Sequence, residues 1–465
     1  MENINIIQDY IKNDESNEII KEKKILNEKE KLKEIINKLF IYNSYNISDS
    51  NKNIPSKIFP ESINYKFSSV SSNFLSYLYT QNYYNIPILS EKGIFHIYGK
   101  IYENFDKKKN EKFISKISKI LFFSYKRNFY PINERNNRTF TSDSGWGCML
   151  RSSQMIFSRA LYLYYYKKLK YDKIVSLLLV LNLFYDNPFN FEKMPDNFTY
   201  FMNYFLKMKF EEDKQKFVYI HKIFPPFSIQ SICYFSEIYK KKAGDWFSDI
   251  NMVNIFKLIT ENFNVFNNEI KIITCLSSLN LMDVLKEGFE KIENIKNEEE
   301  KKDYFFHENV YYKFSKVLII FISVRIGLNV INEMYYSGIR KLFTCKQNIG
   351  IIGGESFKAH YFIGYNKDGN LLFLDPHITK ESFNNNEIND YNNLINDYLV
   401  KNIHQLKISQ MTTAFTIGFF IKNYKEFIEF LDWAKKYRKD DNCVFGIIET
   451  EQKFIEYEDN EQDDF

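Results

Sequence analysis

The longest notable apolar run in the chain is "VLIIFISV", from Val317 to Val324. Eight residues are far too few to cross a bilayer as a helix, which takes about 20 residues. A short apolar run rich in Val and Ile is typical of a strand buried on both faces. The run therefore predicts a buried strand of a folded domain rather than a membrane span.

A β-hairpin is predicted on the C-terminal side of this run. The strand-like segments "AHYFIGY" and "NLLFLD" flank the four residues from Asn366 to Gly369. The Asp-Gly step inside this turn is a strong signal for a tight hairpin connection. The two segments should therefore pair as neighbouring antiparallel strands.

Composition and charge narrow the class of protein. The 465 residues carry a net charge of only +4, whereas proteins that neutralise nucleic-acid phosphates usually show a concentrated basic face. We therefore expect no nucleic-acid partner. Five scattered cysteines suit reduced thiols in the cytoplasm better than a disulfide framework. No CxxC or HExxH spacing is present, so neither a metal nor another cofactor is expected.

Composition also predicts the organisation of the chain. Residues 1–60 are polar, contain no apolar signal segment and are expected to form a largely disordered leader. Residues 61–450 should form the folded body, with a smaller and less regular auxiliary lobe at about 170–270. The segment 286–303 should be a charged surface loop or helix, and 451–465 a disordered acidic tail.

The stretch "TSDSGWGCMLRSSQMIFSRAL" puts Cys148 at the predicted start of a helix near Gly147. A thiol in a first helical turn lies near unpaired amides and the positive end of the helix dipole, which favour the thiolate. Gly145 and Gly147 leave the sulfur uncovered, and Trp146 offers an apolar wall to a bound substrate. Because free cysteines are often simply buried, Cys148 by itself fits a nucleophile and a structural thiol equally well. The candidate caps of the helix are Ser142, Asp143 and Ser144.

A thiol nucleophile also needs a base and a group that orients it. His377 lies two residues after Asp375 at the end of a predicted strand, in "LLFLDPHIT". Alternation along a strand places residues i and i+2 on one face, so this carboxylate and imidazole should emerge side by side. Asp-Pro-His is also an ordinary exit from a strand into a turn. His360, on the partner strand, is the second candidate base, or else a packed strand histidine.

Several blocks together resemble the autophagins, the cysteine proteases that process the ubiquitin-like modifier of autophagy. The resemblance covers roughly 150 residues in the family's order, and it implies an α/β (α+β) architecture with a papain-like fold. The blocks are "FSYKRNF" (123–129) with "TSDSGWGCMLRSSQMIF" (141–157), "SVRIGLNVINEMYY" (323–336), "IGIIGGESFKAHYFIGYNKDGNLLFLDPHIT" (349–379) and "KISQMTTAFTIGFFIKNYKEFIEFL" (407–431).

Carried over to this sequence, the resemblance implies roles for five residues. Cys148 would be the nucleophile, His377 the general base and acid, and Asp375 the group that orients the histidine. Tyr125 would contribute to the oxyanion hole. Trp246, in "KKKAGDWFSDINMV", would cover the groove that receives the glycine of the substrate.

The resemblance also implies an activity and partners. The expected enzyme is a thiol protease that cleaves after the C-terminal glycine of the modifier. It would act both on the free precursor and on the conjugate with phosphatidylethanolamine, which brings it only transiently to a membrane. The alternative is a scaffold that binds the modifier without turning it over. The intact set of Cys148, Asp375 and His377 argues against this alternative.

Two further features concern binding of the modifier. In the family a proline gates the groove, and Lys346 in "TCKQN" is interpreted as the residue that replaces it. Phe445 and Ile448 fit the short aromatic-x-x-aliphatic pattern that docks on the modifier, although "CVFGII" fits a terminal strand as well. Both interpretations depend on where these residues lie in the fold.

Overall fold

The computed structural model of the chain describes the following residues: 93–449, apart from 105–116, 118–119, 134–137, 172, 187–223, 264–265, 267, 294–297, 383–396 and 401. The predicted leader and the predicted acidic tail lie outside the described residues. The chain divides into two units, one of residues 1–63 and 188–224 and the other of 64–187 and 225–465. Except for Phe224, every described residue belongs to the second unit.

The strands of the described residues are numbered in chain order. They are β1 Gly93–Ile97, β2 Lys100–Asn104, β3 Lys126–Asn133, β4 Thr139–Ser142, β5 Ile270–Leu276, β6 Ser278–Asn280, β7 Phe289–Ile292, β8 Tyr304–His307, β9 Val310–Phe314, β10 Val317–Arg325, β11 Asn348–Glu355, β12 Lys358–Asn366, β13 Leu371–Leu374, β14 Lys380–Glu381, β15 His404–Leu406, β16 Ala414–Ile421 and β17 Gly446–Ile448.

Nine of these strands form one large sheet. Its order is β15-β13-β12-β11-β16-β10-β5, and β1 joins it through β12 with β2 at its side. Only β10 and β5 run parallel, and the other pairs in this sheet are antiparallel. The predicted buried strand is confirmed as β10, in which every residue except Arg325 is buried. The predicted hairpin is confirmed as β12 and β13.

Seven α-helices are described, and the first of them begins at Cys148. The helices are α1 Cys148–Leu163, α2 Lys173–Asn182, α3 Ile229–Phe235, α4 Asp249–Phe263, α5 Leu281–Gly288, α6 Tyr336–Leu342 and α7 Tyr424–Arg438. The predicted helix start near Gly147 is thus confirmed, and α1 continues into a π-helical turn at Tyr164–Lys168. Within the described part of the chain, no helix combines the length and the apolar character needed to cross a membrane.

Helix α1 lies at the centre of the structure. One side of it lies against β11, β12 and β16, and the other lies against α2 and α4. Apolar residues on several sides of the helix, among them Leu150, Ile156 and Leu161, are completely buried. A helix that is apolar on most sides is stable only inside a core, so α1 is held firmly from both directions. The start of α1, which carries Cys148, is therefore held in a fixed position.

The predicted auxiliary lobe contains more regular structure than expected. Between 170 and 270 the described residues form α2, α3 and α4 and the start of β5, while 187–223 lie outside the described residues. Helix α4 lies against α1 and the sheet. The described part of this region therefore belongs to the body that holds Cys148.

The segment 286–303 was predicted as a charged loop or helix, and this is wrong for part of it. Residues 289–292 form β7, which pairs with β9 in a small three-stranded sheet with β8. Phe289 is buried and its ring lies 4.8 Å from that of Phe427. Burial of this apolar side chain stabilises the strand despite the charged composition of the neighbouring residues.

The proposed docking pattern at Phe445 and Ile448 belongs to a terminal strand. Strand β17 pairs in parallel with β6, and Phe445 is only 3% exposed. Its ring packs 5.1 Å from that of Tyr437 and 6.2 Å from that of Phe419. Because docking requires an exposed aromatic ring, the structure overturns the docking interpretation of Phe445.

Candidate active site

The turn before α1 is built from backbone hydrogen bonds to one carbonyl. Trp146 N and Gly147 N donate to Asp143 O at 3.2 and 2.8 Å. Gly145 adopts a positive φ of 87°, which favours glycine. At Gly147 an added Cβ would lie 2.6 Å from the Asp143 carboxylate, so the close approach also requires glycine. The two glycines thus allow Cys148 to begin the helix directly after a tight turn.

The predicted side-chain cap of α1 is not present. The N-cap residue is Gly147, which has no side chain to cap the helix. The Asp143 carboxylate instead accepts hydrogen bonds from Lys126 N and Arg151 Nε, each at 2.6 Å. The Asp143 side chain therefore stabilises the turn before α1 and does not cap the first amides of the helix.

Asp375 and His377 lie side by side just after β13, as the strand alternation predicts. The Oδ1 atom of Asp375 accepts from His377 N at 3.1 Å and contacts the ring atom Nδ1 of His377. Both residues are buried. The pKa of Asp375 lies well below its usual range: burial opposes this, but the hydrogen bond and the positive charge of His377 outweigh burial. The orientation of the imidazole is therefore set by an ionised carboxylate.

The imidazole of His377 also interacts with the thiol of Cys148. Burial would raise the pKa of Cys148, but the hydrogen bond and charge of His377, the amide of Ala359 and the hydroxyl of Tyr125 lower it below its ordinary value. Burial likewise opposes the charge on His377, yet Asp375 and Cys148 raise the pKa of His377 to about 9. The pair is thus arranged to hold a thiolate and an imidazolium together.

Tyr125 is tied to the segment that carries His377. Tyr125 N donates to Pro376 O at 2.8 Å, and Lys380 N donates to Tyr125 O at 2.9 Å. The ring stands edge-on to the His377 ring with centroids 5.4 Å apart. Burial and the nearby charge of Cys148 raise the pKa of Tyr125 far above its ordinary value. Its hydroxyl therefore keeps its proton and can act as a donor beside the thiol.

The two candidate tryptophans differ in exposure. Trp246 is 54% exposed, and its Nε1 donates to Gly145 O at 3.2 Å, which fixes the indole beside the turn that precedes Cys148. Trp146 is 6% exposed and packs against the Phe140 ring, with centroids 5.7 Å apart. Trp246 is therefore open to a ligand, whereas Trp146 mainly supports the turn.

The gating interpretation of Lys346 is wrong. Lys346 precedes β11, whose eight residues span about 25 Å, and its Nζ pairs with Glu429 at 3.5 Å. Ala359, which contacts the thiol, pairs with Gly354 near the opposite end of β11. The loop beside the groove is instead the turn between β11 and β12, which carries the 80% exposed Phe357.

Phe357 is a site residue that the sequence analysis missed. Its ring lies 5.7 Å from that of Trp246, and its backbone adopts a positive φ of 62°. A bulky residue in this region of backbone space is uncommon and marks a constrained turn. The signal available in the sequence was an aromatic residue between two predicted strands, in "ESFKAH".

The sequence analysis also missed a buried ion-pair network next to the turn that precedes Cys148. The Arg151 guanidinium, 1% exposed, pairs with Asp143 through Nε at 2.6 Å and with Asp186 through Nη1 at 2.8 Å. Nη1 also donates to Gln154 Oε1 at 3.0 Å. The available signal was an arginine in the first turn of the helix, close in sequence to Asp143. The network joins the turn before Cys148 to the region after α2.

His360, the second candidate base, is fully buried on β12 and lies beside Asp375. Its Nδ1 lies 3.7 Å from Asp375 Oδ1, and its ring stands edge-on to that of His377 with centroids 5.5 Å apart. His360, Asp375 and His377 offer ligand atoms within 4.8 Å of one another, which makes them the metal-ligand candidates among the described residues. The Asp375 oxygen, however, already accepts the hydrogen bonds of His377.

The opposite pKa shifts predict a pH dependence of Cys148 reactivity with two rising limbs, an acidic and an alkaline one. Alkylation by iodoacetamide should rise to a plateau as the thiolate forms below the ordinary thiol pKa. It should rise again near pH 9, where His377 loses its proton and the thiolate no longer has an imidazolium partner. Because the raised pKa of His377 stabilises the folded chain, that contribution is complete below about pH 6.5 and is lost through about pH 9. Intact-mass and peptide mapping across pH would measure both limbs.

Two buried thiols serve as internal controls in this experiment. Burial raises the pKa of Cys275 to about 11 and that of Cys345 to about 12, so neither should react in the same window. Replacing Asp375 with asparagine should move the alkaline limb to lower pH, because the imidazolium loses its partner. A reactivity of Cys148 that first appears near pH 9, with no acidic limb, would contradict the ion pair.

Comparison with known proteins identifies relatives over most of the chain. The family model described as the peptidase C54 catalytic domain matches residues 110–433. Human cysteine protease ATG4A is 24% identical over 359 residues, which cover 74% of this chain and 79% of that protein. Cysteine protease ATG4B of Xenopus laevis is 27% identical over 342 residues, covering 71% and 76%. Tyr125, Cys148, Trp246, Asp375 and His377 all lie inside the matched range.

Proposed function

The chain belongs to the peptidase C54 family and is a cysteine-type peptidase with a papain-like fold, and from this premise we propose its substrate and its catalytic residues. The proposed substrate is a ubiquitin-like autophagy modifier, which the enzyme cleaves after the C-terminal glycine. The resemblance to the autophagins and the similarity to cysteine proteases ATG4A and ATG4B support this proposal.

The observation that carries the catalytic assignment is the contact of one imidazole with both a thiol and a carboxylate. His377 interacts with Cys148 on one side and with Asp375 on the other. These are the relations required of a nucleophile, its base and the group that orients the base. Cys148, His377 and Asp375 are therefore the proposed catalytic triad.

In the first half of the reaction, the Cys148 thiolate attacks the carbonyl carbon of the glycine. The carbonyl oxygen becomes an oxyanion, and the hydroxyl of Tyr125 is the proposed side-chain donor to it. Such donors typically contribute about 10²- to 10³-fold to kcat. The C–N bond then breaks, His377 gives its proton to the leaving amine, and the glycine remains bound to Cys148 as a thioester.

In the second half, water hydrolyses the thioester. Neutral His377 takes a proton from the attacking water, and a second tetrahedral oxyanion forms. The C–S bond breaks, the modifier leaves with a free C-terminal glycine, and the thiolate and imidazolium are restored. Asp375 keeps the imidazole aligned throughout, because its Oδ1 holds both the ring and the amide of His377.

The preference for glycine is proposed to be steric. Trp246 approaches the turn at Gly145, and Phe357 meets the indole from the turn between β11 and β12. Two aromatic rings at this position would narrow the approach to Cys148, so that a residue without a side chain passes most easily. Specificity would then come from this narrow approach and from docking of the folded modifier.

The same chemistry serves two substrates. If the leaving amine belongs to a peptide extension, the reaction matures the precursor. If it belongs to phosphatidylethanolamine, the reaction releases the modifier from a membrane, and the enzyme approaches the membrane only through this substrate. All five cysteines are free thiols, which fits the proposed cytoplasmic location.

The test follows the mass of the product. A relative's modifier with a short extension after the glycine is mixed with the reduced full-length protein, and intact mass identifies the cleavage position. A second arm uses the same modifier conjugated to phosphatidylethanolamine in vesicles and measures its release. We expect a product that ends in glycine from both arms, and much slower cleavage when that glycine is replaced by alanine.

Matched variants distinguish the possible outcomes of the cleavage test. Cys148→Ala should give no product, whereas Cys443→Ala, which removes another partly exposed thiol, should cleave normally. Binding of the modifier without cleavage by the reduced protein would contradict the protease proposal and leave the scaffold alternative. Cleavage after a different residue would contradict the glycine specificity.

A further inference from the structure

His360 is a second imidazole beside the proposed catalytic carboxylate. Its Nδ1 faces Asp375 Oδ1 at 3.7 Å, and this is the same oxygen that holds the ring and the amide of His377. The distance is too long for a hydrogen bond but short enough for a strong electrostatic contact between buried groups. His360 therefore faces the carboxylate that orients His377.

The position of the His360 ring is fixed by packing. Its side chain is 0% exposed, and its residue pairs with Gly353 across β11 and β12. The ring packs on that of Phe373 with centroids 4.3 Å apart and stands edge-on to that of His377. Because β12 and β13 are neighbouring strands of the large sheet, the imidazole is held rigidly beside the end of β13.

The far side of the ring faces a carboxylate that already has a partner. His360 Nε2 lies within hydrogen-bond distance of Glu355 Oε1, at 3.5 Å, and Lys358 Nζ lies 3.4 Å from the same oxygen. Glu355 and Lys358 are each about one-fifth exposed, so solvent also screens their charges. Among the described residues, His377, His404 and Tyr125 also act electrostatically on this cluster.

These surroundings decide which nitrogen of His360 carries its proton. Burial lowers the pKa of His360, and although Glu355 and Asp375 oppose this, the ring is neutral and carries one N–H. Glu355 has Lys358 as a partner and is partly exposed, whereas Asp375, although it already holds His377, is almost completely buried. A proton on Nδ1 therefore stabilises the system most, because it points an N–H dipole at the more buried carboxylate.

We propose that His360 is a positioning residue that directs its Nδ1–H at Asp375 Oδ1 and so holds this carboxylate ionised and aligned with His377. The proposal rests on the proposed function, since it concerns the same triad. His360 neither transfers a proton nor touches the substrate in this role. It acts through Asp375 on the imidazolium of His377, and through His377 on the thiolate of Cys148.

The test compares a variant that removes the donor with one that keeps it. His360→Leu fills similar space without an N–H, whereas His360→Asn can present an amide N–H near the position of Nδ1. His96→Leu is the matched control, because His96 stacks on Tyr365 with ring centroids 4.4 Å apart, at the other end of β12. Near-ultraviolet circular dichroism establishes that each variant is folded.

Two measurements separate positioning from packing. We expect His360→Leu to lower kcat on the extended modifier about tenfold with KM unchanged, as loss of one interaction with a buried charge would. The pH midpoint for alkylation of Cys148 by iodoacetamide should rise by about half a unit, because a less well aligned Asp375 stabilises the imidazolium and thiolate less. His360→Asn should restore both values, and His96→Leu should change neither.

Every outcome for the His360 variants either supports or overturns the proposal. A folded His360→Leu with an unchanged kcat and an unchanged alkylation profile overturns the proposal, and so does a folded His360→Asn that loses as much as leucine does. If His360→Leu does not fold, His360→Met, which also lacks an N–H donor, takes its place beside the asparagine variant. Alkylation uses no modifier, so a chain that fails to cleave the modifier would contradict the proposed function and leave this inference testable.

Discussion

Replacing Cys148 with alanine should lower kcat on the extended modifier by about 10⁶-fold, and replacing His377 with alanine should cost about as much. The double variant should be no worse than either single variant. The physical reason is that the thiolate and the imidazolium stabilise each other, so removing one leaves the other without its function. Single-turnover cleavage followed by intact mass measures all three variants.

The matched controls for this prediction are Cys443→Ala and His96→Leu, which remove a thiol and an imidazole elsewhere in the chain. Both should keep kcat within about twofold of the unmodified protein, as is usual for residues that take no part in the chemistry. Losses that multiply in the double variant would show that Cys148 and His377 act independently. Substantial turnover by Cys148→Ala would mean that another group is the nucleophile.

Replacing Arg151 with methionine should destabilise the chain by about 3–5 kcal/mol, because it leaves buried carboxylates without their partner. Arg151 pairs with Asp143 and Asp186, and all three side chains are at most 3% exposed. Asp143 also accepts from Lys126 N, and Asp186 accepts from Ile229 N at 3.0 Å. The network therefore joins β3, α1 and α3. Its loss should also destabilise the turn before Cys148.

Denaturant unfolding of the full-length chain measures this effect. Lys257→Met is the matched control, because Lys257 forms a part-exposed pair with Glu261 at 3.8 Å on α4 and should contribute at most about 0.5 kcal/mol. If Arg151→Met cannot be purified, Arg151→Lys keeps the charge but not the two-sided contact, and it should show an intermediate loss. A loss no larger than that of the control would contradict a structural role for the network.

Local features of this chain followed directly from neighbouring residues. The start of α1 depends on two glycines and on the apolar residues that follow within a few turns. The hairpin depends on one Asp-Gly step, and the side-by-side arrangement of Asp375 and His377 depends on strand alternation over three residues. Each of these is settled by interactions over a short stretch of chain, so the sequence was sufficient to predict it.

The choice between histidines needed the tertiary structure. The sequence left His377 and His360 open as candidate bases, because both lie on neighbouring predicted strands. In the structure His377 interacts with both Asp375 and Cys148, whereas His360 Nδ1 lies 3.7 Å from Asp375 Oδ1. Which of two imidazoles reaches a thiol depends on strand register and on the position of α1 over the sheet.

The sequence by itself therefore determined the helix start, the hairpin and the Asp-Pro-His geometry, and through its resemblance to a known family it pointed to the chemistry. Only the tertiary structure decided that Arg151 is buried between two carboxylates, that Phe357 rather than Lys346 lies beside Trp246, and that Phe445 belongs to the core. The physical reason is that these contacts join residues far apart in the chain, and strand register and helix packing, rather than local periodicity, determine which of them meet.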